Sequence, residues 1–457
     1  MTATGAPPRL AATPLQRYLW QLDRDGGRVA SAVRGLRLTG TVDTDRLVAA
    51  IGEVSAAFEV LRRNGAEPSL ARAQAAGGSQ PDRDADCVAR LHADRARPVD
   101  LGRDPLVRFH LVHSGPDQAV LALAGHPLAV DVRSIYLLLG AVMQAYFGRF
   151  RTDQYPSFGA VAGLDPVGAE SIRRSRAAWW SARLERWYRA TGAAARSTES
   201  HPTRTDPAGP EPAADPVTVE LPLPAERWDR VSAGGQAGNA ASLAAIALVA
   251  WWLRTRSREP SRPPVFGSTL DLRDYLGLGP VVGPLTDGVP FEIDLTGFDR
   301  MTFRDLVRRA HAGLLDAVVH YLPYPDLIAL GIRGGALTPP RVAALWDIGV
   351  NYCRLPPASA YTRGEQTLAR RGLSIELFRE AALARADQAV PDAGRAGVRM
   401  DLHVAESGAD TALVVTFDPT HFDRDDVRRM LYDIDGVIDL VSADPDRAVT
   451  TLAEEDR

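Results

Sequence analysis

Apolar positions in this chain switch between a helical and a strand-like period, and the switches mark its elements. Pro14–Leu22 (PLQRYLWQL) carries apolar residues at helical spacing and reads as an opening helix. Val33–Leu38 reads as a strand. Asp43 then stands where it can cap a helix running through Leu47, Ile51, Val54 and Phe58 to Leu61. The ragged stretch Asn64–Asp86 reads as loop. A hairpin follows: Pro105–His113 alternates, Ser114–Asp117 turns, and Ala119–Ala124 is a continuous apolar run that predicts a strand buried on both faces. Directly after it come His126, Pro127, Leu128, Ala129, Val130 and Asp131. A helix then sets Ile135, Leu138, Leu139, Val142, Met143 and Tyr146 on one side.

Glu170–Tyr188 predicts an amphipathic helix rich in arginine and tryptophan. Thr191–Pro216 is dense in Pro, Ala, Ser, Thr and Asp without hydrophobic period, the signature of a linker. Beyond it the alternation resumes. Strands are expected at Val217–Leu221, Val265–Asp271, Val289–Leu295, near Asp347–Cys353, at Ser374–Phe378, Val398–Val404 and Ala412–Asp418. Helices are expected at Ser242–Arg254, Thr302–Leu322 and Asp423–Ser442. This order predicts an α/β protein in two parts, 1–190 and 217–457, joined by the linker 191–216.

At 457 residues the chain exceeds one ordinary core, which agrees with two parts. Hydrophobic residues are 45% and charged residues 24%, as in globular proteins, and the net charge is −4. Charges of both signs are interspersed with no basic stripe, which argues against a nucleic-acid partner. Lysine is absent, so no Schiff-base or tunable amine chemistry is available. Cys87 and Cys353 fit no metal or disulfide spacing, and no metal is expected. Without a signal peptide or a run of ~20 apolar residues, the expectation is a cytoplasmic protein off the membrane.

Several segments, taken in order, resemble the condensation domains of nonribosomal peptide synthetases. They are PLQRYLWQL (14–22), TVDTDRLVAAIGEVSAAFEVLRR (41–63), PVDLGRDPLVRFHLV (98–112), GNAASLAAIALVAWWLR (238–254), FGSTLDLR (266–273), VVGPLTDGVPFEIDL (281–295), VHYLPYPDLIAL (319–330) and DPTHFDRDDVRRML (418–431). The likeness runs from about Pro14 to Leu452, with no adenylation or carrier segment, which implies a free-standing member. It implies two chloramphenicol-acetyltransferase-like subdomains in a V-shaped pseudo-dimer with a central tunnel. Acyl or peptidyl carrier proteins would present phosphopantetheine-tethered thioesters there, so the chain itself would bind no cofactor. A monomer is compatible with two halves that bury each other.

The family signature HHxxxDG falls on His126 to Val132. The second histidine, which in the family handles the acceptor amine, is here Pro127, which has neither a titratable group nor a backbone N–H. Loss of a general base typically costs ~10²–10⁴-fold in rate. His126 takes the first, structural histidine's place, with a displaced catalytic role as the minor option. Asp131 matches the family's ion-paired aspartate, and Arg273 stands at the expected partner position. Val132 replaces the glycine and implies a reshaped turn. By the resemblance Ser134, Thr286, Asp287 and His320 are candidates for the tunnel wall, with packing the default for His320. His110 and His113, on opposite faces of their strand, read as core or surface residues.

Two functions compete. One is a condensation-like enzyme of natural-product biosynthesis acting on carrier-bound acyl or aminoacyl thioesters, forming an amide or ester or templating a cyclisation. The other is a catalytically silent module that recruits a partner enzyme or carrier protein. An acetyltransferase using free coenzyme A shares the histidine requirement and ranks third.

Overall fold

A computed structural model describes residues 13–24, 31–189, 217–233, 235–255, 264–337, 345–346, 348–354, 372–378, 390–391, 400–407, 410–417 and 422–451. In chain order the first part holds α1 (Pro14–Arg24), β1 (Ala32–Thr39), α2 (Thr44–Ala57), β2 (Ser69–Gln74), α3 (Gln80–Ala96), β3 (Val107–Gly115), β4 (Gln118–Gly125), α4 (Val132–Tyr146), α5 (Phe158–Val161) and α6 (Glu170–Arg189). After it come β5 (Val217–Pro222), α7 (Ala225–Val231), α8 (Gly235–Thr255), β6 (Phe266–Asp271), α9 (Leu272–Leu276), β7 (Thr286–Phe291), α10 (Phe303–Val319) and α11 (Tyr324–Arg333). The chain closes with β8 (Ile348–Arg354), β9 (Ser374–Phe378), β10 (Val390–Pro391), β11 (Met400–Ser407), β12 (Asp410–Phe417) and α12 (Arg424–Ala443). The expected linker, 191–216, lies outside the described residues.

These strands build two sheets, one of five strands ordered β2-β3-β4-β1-β9 and one of seven ordered β10-β5-β12-β11-β8-β6-β7. In the first, β4 is buried on both faces, as its unbroken apolar run requires. Ala119, Leu121 and Leu123 join the core under α2 and α4. Val120, Ala122 and Ala124 point the other way, toward Cys87 and Leu91 of α3. Burial pushes the Cys87 thiol up to about 11, so it is an inert core residue. The second sheet buries one face against α8, α10 and α12. The Asp43 cap is present, its side chain accepting from the Arg46 N–H.

Two expectations change. The stretch 64–86 is not all loop: Ser69–Gln74 pairs parallel with β3 as an edge strand, and α3 begins at Gln80 behind a Ser79–Asp82 capping box. The halves also interlock. Strand β9 comes from the C-terminal part of the chain, yet it pairs antiparallel with β1 in the first sheet, Leu36 opposite Leu377. The cut at 191–216 therefore does not separate the two sheets cleanly.

Candidate functional site

Strand β4 delivers the chain into a tight turn at His126–Val130, and α4 starts right after it. His126 is fully buried. Its backbone N–H donates to the Leu106 carbonyl at 2.8 Å, and its own carbonyl accepts from the Ala129 and Val130 N–H groups at 2.8 and 3.1 Å. The Nδ1 atom accepts from the Leu128 N–H at 3.2 Å. Gln16, on α1, clamps the same turn by donating to the Leu128 carbonyl at 2.7 Å. His126 therefore shapes the turn from inside, and Pro127 is half-buried beside it.

Asp131 caps α4, accepting from the Ser134 N–H at 2.8 Å. Its carboxylate also meets Arg273 in two places: Nη1 to Oδ2 at 2.8 Å and Nη2 to Oδ1 at 3.1 Å. Further donors to Oδ2 are the Leu285 N–H at 2.8 Å and the Thr286 hydroxyl at 3.0 Å. Arg273, the second residue of α9, is fully buried and spreads its remaining donors over Asp271 and the carbonyls of Val281 and Gly283. Burial alone would raise the Asp131 pKa; the Arg273 charge and the Ser134 bonds outweigh it and hold it below the usual carboxylate range. Gly283 admits the close approach, because a Cβ there would lie 2.2 Å from the Phe158 ring. Outside this clasp, Arg133 reaches Asp271 at 2.7 Å and Asp274 at 2.8 Å on the surface.

The structure divides the expected tunnel residues. Ser134 and Thr286 both belong to the clasp. Ser134 is fully buried, with its hydroxyl among Asp131, Arg273 and Gly283, so the expected substrate contact is corrected: it has no surface to offer. Asp287, one residue along β7, points the opposite way. Burial raises its pKa, and it accepts from the Tyr321 hydroxyl at 2.6 Å and the Tyr324 N–H at 3.1 Å. His320 packs: it stacks on Trp179 at 4.2 Å, with Nδ1 2.8 Å from the Asp316 carbonyl. Val132 is the first residue of α4, a helical position open to any L-residue, so no special turn is needed there. His110 meets Asp94 at 3.2 Å in a separate buried cluster with Arg108. No group of three or more potential metal ligands gathers among the described residues, and no helix there is long and apolar enough to cross a membrane.

Gln16, Gly283, Leu285 and Arg133 were not singled out from sequence. Only Arg133 had a usable signal, its place two residues beyond Asp131.

Among solved structures, the tallysomycin biosynthesis protein TlmII is 38% identical to this chain, covering 95% of it and 98% of TlmII with a TM-score of 0.72. The starter condensation domain of rhizomide synthetase superposes over 96% of this chain and 95% of its own, at 14% identity and TM-score 0.66. The chain belongs to the condensation-domain family of nonribosomal peptide synthetases. It is homologous to condensation-like proteins of natural-product biosynthesis. The X-domain from teicoplanin biosynthesis matches at 20% identity, 98% coverage of both chains and TM-score 0.66; like the starter domain, it bears on the fold alone. No family profile and no curated protein sequence matches the chain.

Proposed function

We propose that this condensation-family protein is a catalytically silent module that holds a carrier-tethered intermediate and brings a partner enzyme to it. One observation carries the reading. The imidazole nearest the motif's catalytic position, His126, is fully buried with Nδ1 engaged by the Leu128 N–H, and the next residue is Pro127. A general base must come within hydrogen-bond reach of the proton it takes. Asp131 cannot substitute, because its carboxylate is engaged by Arg273, Leu285, Thr286 and Ser134.

A precedent for recruitment within this fold is the X-domain of teicoplanin biosynthesis, which forms a complex with OxyB. The phosphopantetheine arm would belong to the carrier. The competing reading is an enzyme that works by positioning alone, which can contribute more than a base. Calorimetric titration of the full chain with an acyl-loaded carrier protein, and separately with a tailoring enzyme from neighbouring genes, tests the proposal. Saturable binding of both is expected, and binding of neither would overturn it.

A further inference from the structure

Among the described residues five large apolar side chains are exposed, and two of them stand one turn apart on a single helix. Leu315 is 46% and Val319 63% exposed, both on α10. The inner side of that helix is conventional: Phe303, Leu306, Ala310, Leu314 and Ala317 enter the core beside the second sheet. At about 100° per residue, Arg304, Arg308, Ala312, Leu315 and Val319 fall within about 80° of arc on the opposite side, and all five are exposed. Asp316, also exposed, flanks this stripe.

The groups along the stripe have a direction. Two cations, Arg304 and Arg308, occupy its N-terminal half, and hydrocarbon with the Asp316 carboxylate occupies its C-terminal half. Ala312 sits midway between Arg308 and Asp316, four residues from each. Within the chain Arg308 is paired only locally, with Asp305 one turn back, whose carboxylate also closes the capping box with Thr302. No ion pair engages the Asp316 carboxylate among the described residues. An occupant of this stripe must therefore bring an acid to Arg308, a cation to Asp316, a small side chain to Ala312 and hydrocarbon to Leu315 and Val319.

The stripe itself, run in the opposite direction, meets each of these demands. In an antiparallel pair crossing at Ala312, Arg308 of each copy faces Asp316 of the other, so the ion pair forms twice. Ala312 meets Ala312 on the two-fold axis, where small side chains let helices approach to about 8 Å. Leu315 and Val319 lie over the stems of Arg304 and Arg308 in the other copy, which carry hydrocarbon below their charge. A contact in which one patch complements itself closes on two copies and stops there.

We propose that the outer face of α10 is a self-association surface, on which two copies of this chain pair antiparallel about Ala312. One helix pair buries less than the roughly 800 Å² per partner of a standard interface, so the dimer is weak, with a dissociation constant on the order of 10–100 μM. Self-association needs neither carrier nor partner enzyme, so it stands or falls apart from the recruitment reading. Sedimentation equilibrium of the full chain across the micromolar range tests it. The average mass rises with concentration from one chain toward two, and Leu315→Glu keeps the chain monomeric throughout. Arg308→Asp and Asp316→Arg each set like charges face to face twice and weaken pairing roughly tenfold, while the double variant restores it to within about threefold. All three positions are exposed, and thermal unfolding checks that every variant is folded. A chain that is monomeric at every concentration, a dimer indifferent to Leu315→Glu, or a double variant no better than the singles overturns the proposal. So does a monomer whose binding to a carrier protein is lost with Leu315→Glu, which would make this face a carrier dock.

Discussion

The two ends of the stretch His126–Asp131 have fared differently. At the Asp131 end every interaction is in place: the carboxylate accepts from Arg273, Ser134, Leu285 and Thr286, tying α4 to β7 and α9. At the His126 end the imidazole is sealed in the turn and the position for chemistry carries a proline. The contrast shows that one motif contains two separable devices. The ion pair holds two parts of the fold together and is costly to break, whereas the base can be lost without disturbing anything that packs.

If that division is right, mutations at the two ends should differ in size and in kind. Arg273→Ala or Asp131→Ala should cost roughly 3–5 kcal/mol in denaturant unfolding, since each leaves a buried charge without its partner. The Asp131 contribution should also be acid-labile. Its folded pKa lies below the unfolded value, so the stabilisation is complete above about pH 5 and fades as pH falls through the folded pKa. Asp287 works in the opposite sense: its raised pKa makes the folded state relatively more favourable as pH falls. Asp131→Asn should therefore flatten the acid limb of the stability profile, and Asp287→Asn should steepen it.

At the other end, His126→Ala should cost about 1–3 kcal/mol, the penalty for a buried Leu128 N–H without its acceptor. Pro127→Ala should lose only about 0.4–1 kcal/mol, through greater freedom of the unfolded chain, with partner binding unchanged. Smallest of all is Arg133→Ala on the exposed rim, about 0.2–1 kcal/mol, disappearing at high salt. A loss at Pro127→Ala as large as that at Arg273→Ala would break the comparison.

What the sequence reveals follows the same line between local and distant causes. The unbroken apolar run Ala119–Ala124, the Asp43 cap and the Asp131–Arg273 pair were legible, because a periodic pattern, a capping residue or a motif marks each. Ser69–Gln74 was not, because an edge strand with exposed Ala71 and Arg72 lacks a buried face to advertise it. The start of α3 does carry a local signal, the Ser79–Asp82 box with Pro81 at its first turn. The crossing of β9 into the first sheet leaves no trace in its five residues, since partner choice depends on the whole fold. The burial of Ser134 was not legible for a related reason: a family resemblance sets a residue near a site without showing what its side chain meets.

The missing base is the feature most directly open to measurement. Carrier protein loaded with an aminoacyl or acyl thioester, supplied with an amine acceptor, can be followed over time by intact-protein mass spectrometry with and without this protein. Equal rates of thioester loss and no new amide or ester are expected. An acceleration of ~10²-fold or more that His126→Ala abolishes would contradict the silent-module reading.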